Sequence, residues 1–222
     1  MPHNLRSILI LGALGAGVGA IANANSLTHN GDWQQHLSTI HGGQSEQFCV
    51  QSHTGAVTST ALAAYIEQVL EHDPGKQWSG IAGGNVAFKR TRYNCEHYPS
   101  DTRATIELEY HVADGWAICD GSYYSCTTFD APVWDPKGHT HFEWSYVWFQ
   151  QPHVSGLDSR AQNFINHETG HVLGLTDPPG LGEDCRESVM RNALYDCYDY
   201  AYVTYPTSID KAAVTRVSNY QN

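Results

Sequence analysis

The sequence of 222 residues predicts a single α+β domain. Between Thr58 and His72, apolar residues recur at intervals of three and four, which is typical of an amphipathic helix packed on a sheet. Between Ala104 and Val112, apolar and polar residues alternate, which is typical of a strand with one buried face. The chain has no internal repeat, and about 200 residues are enough for one domain with its own core.

The amino terminus is typical of an export signal. Arg6 supplies a positive charge, residues 7–21 form an apolar and glycine-rich run, and Ala-Asn-Ala at 22–24 matches a cleavage site of the A-x-A type. A membrane anchor is the alternative interpretation, but the run is short for a bilayer core of about 30 Å and glycines interrupt it. We therefore predict that residues 1–24 are a signal peptide and that the mature protein is secreted and extracellular.

The mature domain would comprise residues 25–222. Its first part, residues 25–45, is polar and rich in His, Asn and Gly, which is typical of a loose arm or a short propeptide. The formal net charge of the whole sequence is −11. A chain this acidic is a poor candidate for binding nucleic acid or anionic membrane surfaces. We therefore expect neither nucleic acid nor a membrane as a partner.

Six cysteines all follow the signal peptide, which suits an oxidising compartment and three disulfides. The alternative is a second zinc site, but the sequence has no CxxC pair. Local spacing favours two of the pairs, and the third follows by elimination. The expected disulfides are Cys119 with Cys126, Cys185 with Cys197, and Cys49 with Cys95.

Other elements follow from local patterns. Residues Glu46 to Gln51 are a candidate strand, and Phe142 to Gln150 are a candidate strand that is rich in aromatic residues. The apolar stripe of the first helix, which we expect in the core, consists of Leu62, Tyr65, Ile66, Val69 and Leu70. The alternating strand has Ile106, Leu108 and Tyr110 on one face and Thr105, Glu107, Glu109 and His111 on the other.

A second helix is predicted in the region after residue 155. Ser155 or Asp158 can cap its first turn. Its apolar stripe consists of Ala161, Phe164, Ile165 and Val172. Near the carboxyl end, residues 206–210 have the composition of a helix cap, so we predict a final helix that ends near Tyr220.

The second helix carries the motif HExxHxxGxxD, which begins at His167. Because His167 and His171 are four residues apart, they lie on one helix face and can bind one metal ion at roughly 2.0 to 2.1 Å. Glu168 lies on the flank of that face, where it can reach a metal-bound water as a general base. Gly174 can end the helix in the left-handed conformation, and Asp177 can then return as the third ligand.

The motif resembles the signature of the metzincin clan of zinc endopeptidases, which continues from HExxH through a glycine to a third ligand. Aspartate as the third ligand is similar to the snapalysin family of small secreted neutral proteases. A second stretch, Cys185 to Met190 followed by Cys197, resembles that family's cysteine-bounded loop around the Met-turn. The likeness covers residues 163–197 and implies that Met190 lies beneath the zinc.

The resemblance implies a metzincin-like fold, with a twisted mixed sheet packed on a helix, an active-site helix, a Met-turn and a carboxyl-terminal helix. In such folds a strand above the active-site helix aligns the substrate through main-chain hydrogen bonds, but the sequence does not identify that strand. Residues 178–180 are Pro-Pro-Gly, where snapalysin-like chains carry a tyrosine after the aspartate. Tyr195 is the first candidate for a transition-state tyrosine, and a packed or surface aromatic is the alternative. Further candidates of the same kind are Tyr198, Tyr200 and Tyr202.

The same resemblance implies one catalytic zinc ion, held by His167, His171 and Asp177. It also implies an endopeptidase that hydrolyses peptide bonds in protein or peptide substrates. We expect the protein to be a monomer. Glu168 would take a proton from the water, whose pKa the zinc lowers from 15.7 toward about 7. The rival interpretation is a secreted binding or effector protein that keeps this scaffold without cutting. Glu168 argues against it, because a purely structural site needs ligands but no base.

Weaker candidates complete the sequence prediction. His139 and His141 lie on one side of an expected strand and are candidates for a second metal site, with solvated surface histidines as the alternative. Asn166 and Thr169 are candidates for orienting the metal ligands through hydrogen bonds. The sequence leaves a calcium requirement open.

Overall fold

The computed structural model of the protein describes residues 45–72, 77–78, 87–91, 95, 108–113, 124–129, 132–134, 140–142, 145–175, 177, 188–190 and 203–219. The strands in chain order are β1 (Ser45–Ser52), β2 (Ala87–Arg90), β3 (Leu108–Ala113), β4 (Ser125–Phe129), β5 (Pro132–Trp134), β6 (Thr140–Phe142) and β7 (Ser145–Gln150). The helices are α1 (Ser59–Glu67), α2 (Gln151–Val154), α3 (Ser159–Val172) and α4 (Ser208–Asn219), and a π-helical turn (Gln68–His72) extends α1. These elements confirm the predicted α+β class.

Five strands form one mixed sheet in the order β2-β1-β3-β7-β4. Strands β2, β1, β3 and β7 run parallel to one another, whereas β4 pairs with β7 in the antiparallel direction. Strands β5 and β6 form a separate antiparallel pair. Because β4 has only β7 beside it in this strand order, it forms one edge of the described sheet.

The predicted strand and helix at the start of the domain are both confirmed. Strand β1 extends the predicted strand by one residue at each end. The Thr58 side chain caps α1, where it accepts a hydrogen bond from Ala61 N at 3.1 Å. The predicted stripe lies in the core, with Leu62, Ile66, Val69 and Leu70 buried and Tyr65 partly buried against them.

Strand β3 is buried on both faces, which corrects the prediction of a half-buried strand. Every residue from Leu108 to Val112 is buried, including Glu109 and His111, which were expected on the open face. His111 Nε2 lies 2.9 Å from Glu109 Oε2, and the His111 ring stacks on Trp148 with centroids 4.3 Å apart. These contacts satisfy polar groups that a central strand must bury. The first four residues of the predicted strand lie outside the described part of the chain.

The predicted strand from Phe142 to Gln150 is also corrected, because it consists of two strands in different sheets. Phe142 ends β6 and pairs with Pro132, whereas Ser145 begins β7 and pairs with Leu108 in the larger sheet. A run dense in aromatic residues has no period that marks such a boundary.

Helix α3 is capped at its amino end by Asp158, which was one of the two predicted caps. The Asp158 Oδ1 atom accepts hydrogen bonds from the backbone N–H groups of Arg160 and Ala161 at 3.0 and 3.1 Å. The predicted apolar stripe is buried, as Ala161, Phe164, Ile165 and Val172 show. The predicted final helix is confirmed as α4.

The Cys49–Cys95 disulfide is confirmed. Cys126 is also disulfide-bonded. Its predicted partner, Cys119, lies outside the described residues. The predicted Cys185–Cys197 pair lies outside the described residues, as does residue range 1–44 with the predicted signal peptide. No helix in the described part of the chain combines the length and apolar character that a membrane crossing needs.

Candidate metal centre

Helix α3 and the turn after it bring the three predicted ligands together. His167 and His171 project from successive turns of α3, and their Nε2 atoms lie 3.2 Å apart. The Asp177 Oδ1 atom lies 3.4 Å from His167 Nε2 and 3.7 Å from His171 Nε2. The three ligand atoms therefore fall in one group, within 4.8 Å of one another.

These separations fit tetrahedral coordination of a zinc ion. Ligands at about 2.0 to 2.2 Å from zinc lie roughly 3.3 to 3.6 Å from one another in a tetrahedron. The three measured separations, 3.2, 3.4 and 3.7 Å, differ from that range by about 0.1 Å at most. The Asp177 side chain is 57 % exposed, so the ligand group borders solvent on one side.

Backbone carbonyls fix the tautomers of both histidines. His167 Nδ1 donates to Val189 O at 3.0 Å, and His171 Nδ1 donates to Leu175 O at 2.9 Å. Because a carbonyl oxygen only accepts, each Nδ1 carries a hydrogen and each neutral ring presents a lone pair at Nε2. Two lone pairs 3.2 Å apart repel unless a proton or a metal cation lies between them. The donor set is therefore arranged for a cation.

The carboxylates of the site also favour a cation. Burial lowers the pKa of His171, but the negative charges of Asp177 and Glu168, together with the Leu175 carbonyl, outweigh burial and raise this pKa above its ordinary value. The same negative potential that attracts a proton to His171 attracts a metal ion.

The end of α3 is built so that the chain turns back toward the ligands. Gly174 has φ of 88°, the left-handed conformation that glycine adopts without steric cost. Gly174 N donates to His171 O, and Leu175 N donates to Gly170 O, both at 2.9 Å. This turn places the Leu175 carbonyl beside the His171 ring and directs the chain to Asp177.

Glu168 is buried beside the ligands but is not a member of the ligand group. Ser125 Oγ donates to Glu168 Oε1 at 2.6 Å, and Thr127 Oγ1 donates to Glu168 Oε2 at 2.7 Å. Both hydroxyls come from β4, which the sequence analysis did not predict. The only signal in the sequence was two hydroxyl residues at alternate positions, and that pattern is common on strands.

Met190 lies against α3 at Gly170, the residue that precedes His171. It is fully buried, and a Cβ added at Gly170 would overlap its sulfur and meet the Trp78 ring. The backbone before Met190 is tied to α4, because Ser188 Oγ donates to Asp210 Oδ1 at 2.5 Å and Val189 N donates to Asp210 Oδ2 at 3.0 Å.

The described hydrogen bonds of the Asn166 and Thr169 side chains do not go to the predicted metal ligands. Asn166 Nδ2 donates to Thr204 O at 2.8 Å, and Thr169 Oγ1 donates to Ile165 O at 2.6 Å. The orienting bonds come instead from the carbonyl groups of Val189 and Leu175, which any residue type can supply and which a sequence therefore does not reveal.

The remaining candidate residues lie outside the described part of the chain. They are Tyr195, Tyr198, Tyr200, Tyr202 and His139, together with the side chain of His141.

Comparison with known proteins gives no family assignment, because neither a family model nor a curated protein matches this chain. The chemistry of the site rests on the residues themselves.

Proposed function

We propose that the chain is a secreted zinc-dependent endopeptidase of the snapalysin-like type, with a metzincin-like architecture. The observation that carries the proposal is the convergence of the three ligand atoms of His167, His171 and Asp177 within 4.8 Å. Glu168 directly follows His167 in α3. The negative charge of its buried carboxylate helps to raise the pKa of His171.

The number of ligands supports a catalytic site over a structural one. Structural zinc sites generally have four protein ligands, whereas catalytic sites have three and leave a position for water or substrate. Among the residues that the structure describes, the group has three members. Two neutral imidazoles and one carboxylate would leave a zinc site with a formal charge of +1, as in peptidases with two histidines and one glutamate.

Zinc bound by these residues would polarise the peptide carbonyl and make water more acidic. Glu168 would accept the proton that the attacking water loses and then donate it to the nitrogen of the leaving amine. The hydroxyls of Ser125 and Thr127 take one lone-pair position on each oxygen of Glu168, and an ionised carboxylate has about four such positions. Glu168 therefore keeps acceptor capacity for the proton.

Strand β4 is suited to bind the substrate, which we infer to be an extended protein or peptide segment. It forms an edge of the described sheet, and its side chains contact Glu168. Backbone groups at a sheet edge can pair with an extended peptide. A peptide paired along β4 would pass the base, so we assign to β4 the alignment of the substrate.

The setting of the site supports secretion. The Cys49–Cys95 disulfide and the disulfide at Cys126 suit an oxidising compartment. We infer that the enzyme acts outside the cell as a monomer that needs neither nucleic acid nor a membrane.

The experiment that tests the proposal measures zinc content and casein hydrolysis on the purified secreted protein. We expect one zinc ion per chain, loss of hydrolysis with a chelator, and recovery on adding zinc. Glu168→Gln should keep the zinc and lose on the order of 10² to 10⁴ in kcat. Glu109→Gln is the matched control, because Glu109 is another buried, hydrogen-bonded glutamate on the far side of the sheet.

Two results would overturn the proposal. One is a mature protein that binds no zinc. The other is a zinc-loaded protein that hydrolyses nothing, which would favour the binding or effector interpretation. Hydrolysis that is unaffected by Glu168→Gln would instead remove Glu168 from the mechanism.

A further inference from the structure

Two hydroxyl side chains of β4 face helix α3 from one side of the sheet. Ser125 and Thr127 are two positions apart, so they project from the same face of the strand. Thr127 pairs with Val147, a core residue of β7 that is fully buried. The intervening residue, Cys126, and the next residue, Thr128, project from the opposite face.

Each hydroxyl bonds a different oxygen of the same carboxylate. The contacts are 2.6 Å from Ser125 Oγ to Oε1 and 2.7 Å from Thr127 Oγ1 to Oε2 of Glu168. Two donors on two oxygens fix both the position and the rotation of the carboxylate plane. A free glutamate side chain has rotamer entropy that ordering must overcome, and these bonds supply the ordering before a substrate binds.

The Thr127 hydroxyl also lies close to the backbone of the helix, with Oγ1 3.1 Å from Glu168 O. Its single hydrogen is directed to the closer Oε2 atom at 2.7 Å, so the bond to the carboxylate is the main contact. Thr127 therefore touches both the side chain and the backbone of Glu168.

We propose that Ser125 and Thr127 are positioning residues that hold Glu168 in register with a peptide bound along β4. This inference rests on the proposed peptidase function. If β4 aligns the peptide, then one strand sets the place of both the substrate and the base.

A purely structural explanation of the same contacts is that the hydroxyls stabilise a buried charge, since a buried carboxylate is costly unless it is hydrogen-bonded. That explanation predicts lower stability and normal turnover in the fraction of protein that remains folded. The positioning role predicts lower turnover in folded, zinc-loaded protein. The two explanations are separated by kinetics at equal folded concentration.

The experiment compares Thr127→Val and Ser125→Ala with the conservative variants Thr127→Ser and Ser125→Thr. Zinc content, folded fraction, kcat and KM are measured for each on a peptide substrate. We expect kcat to fall roughly tenfold to a hundredfold in Thr127→Val, because small misplacements of a catalytic group have effects of this size. KM should change little, and Thr127→Ser should restore most of kcat. Thr128→Val is the matched control, and it should leave kcat unchanged.

A second measurement does not depend on activity. The unfolding free energies of Thr127→Val, Glu168→Ala and the double variant give the coupling between the two side chains. We expect Thr127→Val to destabilise the protein less when Glu168 is already alanine.

Each outcome has one meaning. Absence of that coupling, or a folded and zinc-loaded Thr127→Val with unchanged kcat, would overturn the positioning role and leave the proposed function intact. A wild-type protein that shows the coupling but hydrolyses nothing would overturn the proposed function and, with it, the catalytic purpose of the hydroxyls.

Discussion

The carbonyl oxygen of Val189 accepts a hydrogen bond from His167 Nδ1 at 3.0 Å. The same residue's N–H group donates to Asp210 Oδ2 at 3.0 Å. Asp210 belongs to helix α4, so Val189 connects α4 to His167, the first histidine of the ligand group. Asp210 is fully buried and also accepts hydrogen bonds from Ser188 and Thr207. The ligand geometry therefore depends on a residue that no metal would touch.

Replacing Asp210 with asparagine should weaken zinc binding. The new amide would present N–H groups to the backbone donors of Val189 and Thr207, or would leave Ser188 without its acceptor. Mutation of groups that orient metal ligands typically costs 10- to 100-fold in metal affinity, roughly the loss we expect. Competition with a chromogenic zinc chelator measures it. Ser208→Ala, at an exposed position beside the cap, is the control. Unchanged zinc affinity in folded Asp210→Asn would contradict the dependence of the His167 position on Asp210.

Replacing Gly170 with alanine should destabilise the protein because α3 and Met190 approach closely at this position. The new methyl group would overlap the Met190 sulfur and contact the Trp78 ring. Overpacking of this kind costs about 1 to 3 kcal/mol in unfolding free energy, which urea denaturation measures. Gly55→Ala is a suitable control, since an added Cβ there meets no heavy atom within 4 Å. In a Met190→Ala background the cost of Gly170→Ala should shrink, and an undiminished cost would show that Met190 is not its source.

The ligand group could be predicted from the sequence because its spacing is local. His167 and His171 are one helical turn apart, and Gly174 marks the turn that leads to Asp177. The hydroxyl contacts of Glu168 could not be predicted, because Ser125 is 43 positions away and the contact depends on how β4 is placed in the sheet. Local periodicity does not contain that information.

The same limit explains the errors in the fold prediction. Alternation in β3 predicted one polar face open to solvent, but a strand in the middle of a sheet can bury polar residues that bond one another, as Glu109 and His111 do. Strand neighbours are set by tertiary contacts. The sequence patterns therefore identified β1, α1, α3 and α4 more reliably than they identified the order and ends of the strands.

Replacing Tyr110 with phenylalanine should loosen the contact between β3 and α3. The single hydroxyl hydrogen of Thr169 goes to Ile165 O at 2.6 Å, so the Tyr110 hydroxyl is the donor to Thr169 Oγ1 at 2.8 Å. Burial raises the pKa of Tyr110, so this donor stays protonated at neutral pH. Loss of one buried hydrogen bond costs about 0.5 to 1.5 kcal/mol, measurable by urea denaturation. Combination with Thr169→Val tests the assignment, since strictly additive effects of the two changes would contradict a direct bond.

Stability should fall in mild acid because of His153, which lies on α2 between two aromatic rings. Its ring centroid is 4.2 Å from that of Tyr124 and 5.9 Å from that of Phe164. Burial lowers the pKa of His153, and the positive charge of Arg160 lowers it further. The unfolded chain therefore binds a proton near pH 6.5 that the folded protein does not bind. By linkage, the stability that neutral His153 contributes is present above that pH and is lost as the pH falls through the lower folded pKa.

The comparison of wild type with His153→Gln isolates this effect, because every other titratable group is common to both proteins and cancels in the difference. The stability of wild type relative to His153→Gln should decline between neutral pH and about pH 5, as measured by urea denaturation at each pH. Arg160→Met should make the decline shallower, because removing the positive charge brings the folded pKa of His153 closer to the unfolded value. A difference between wild type and His153→Gln that is constant with pH would mean that His153 titrates alike in the folded and unfolded chains, against the direction that its burial requires.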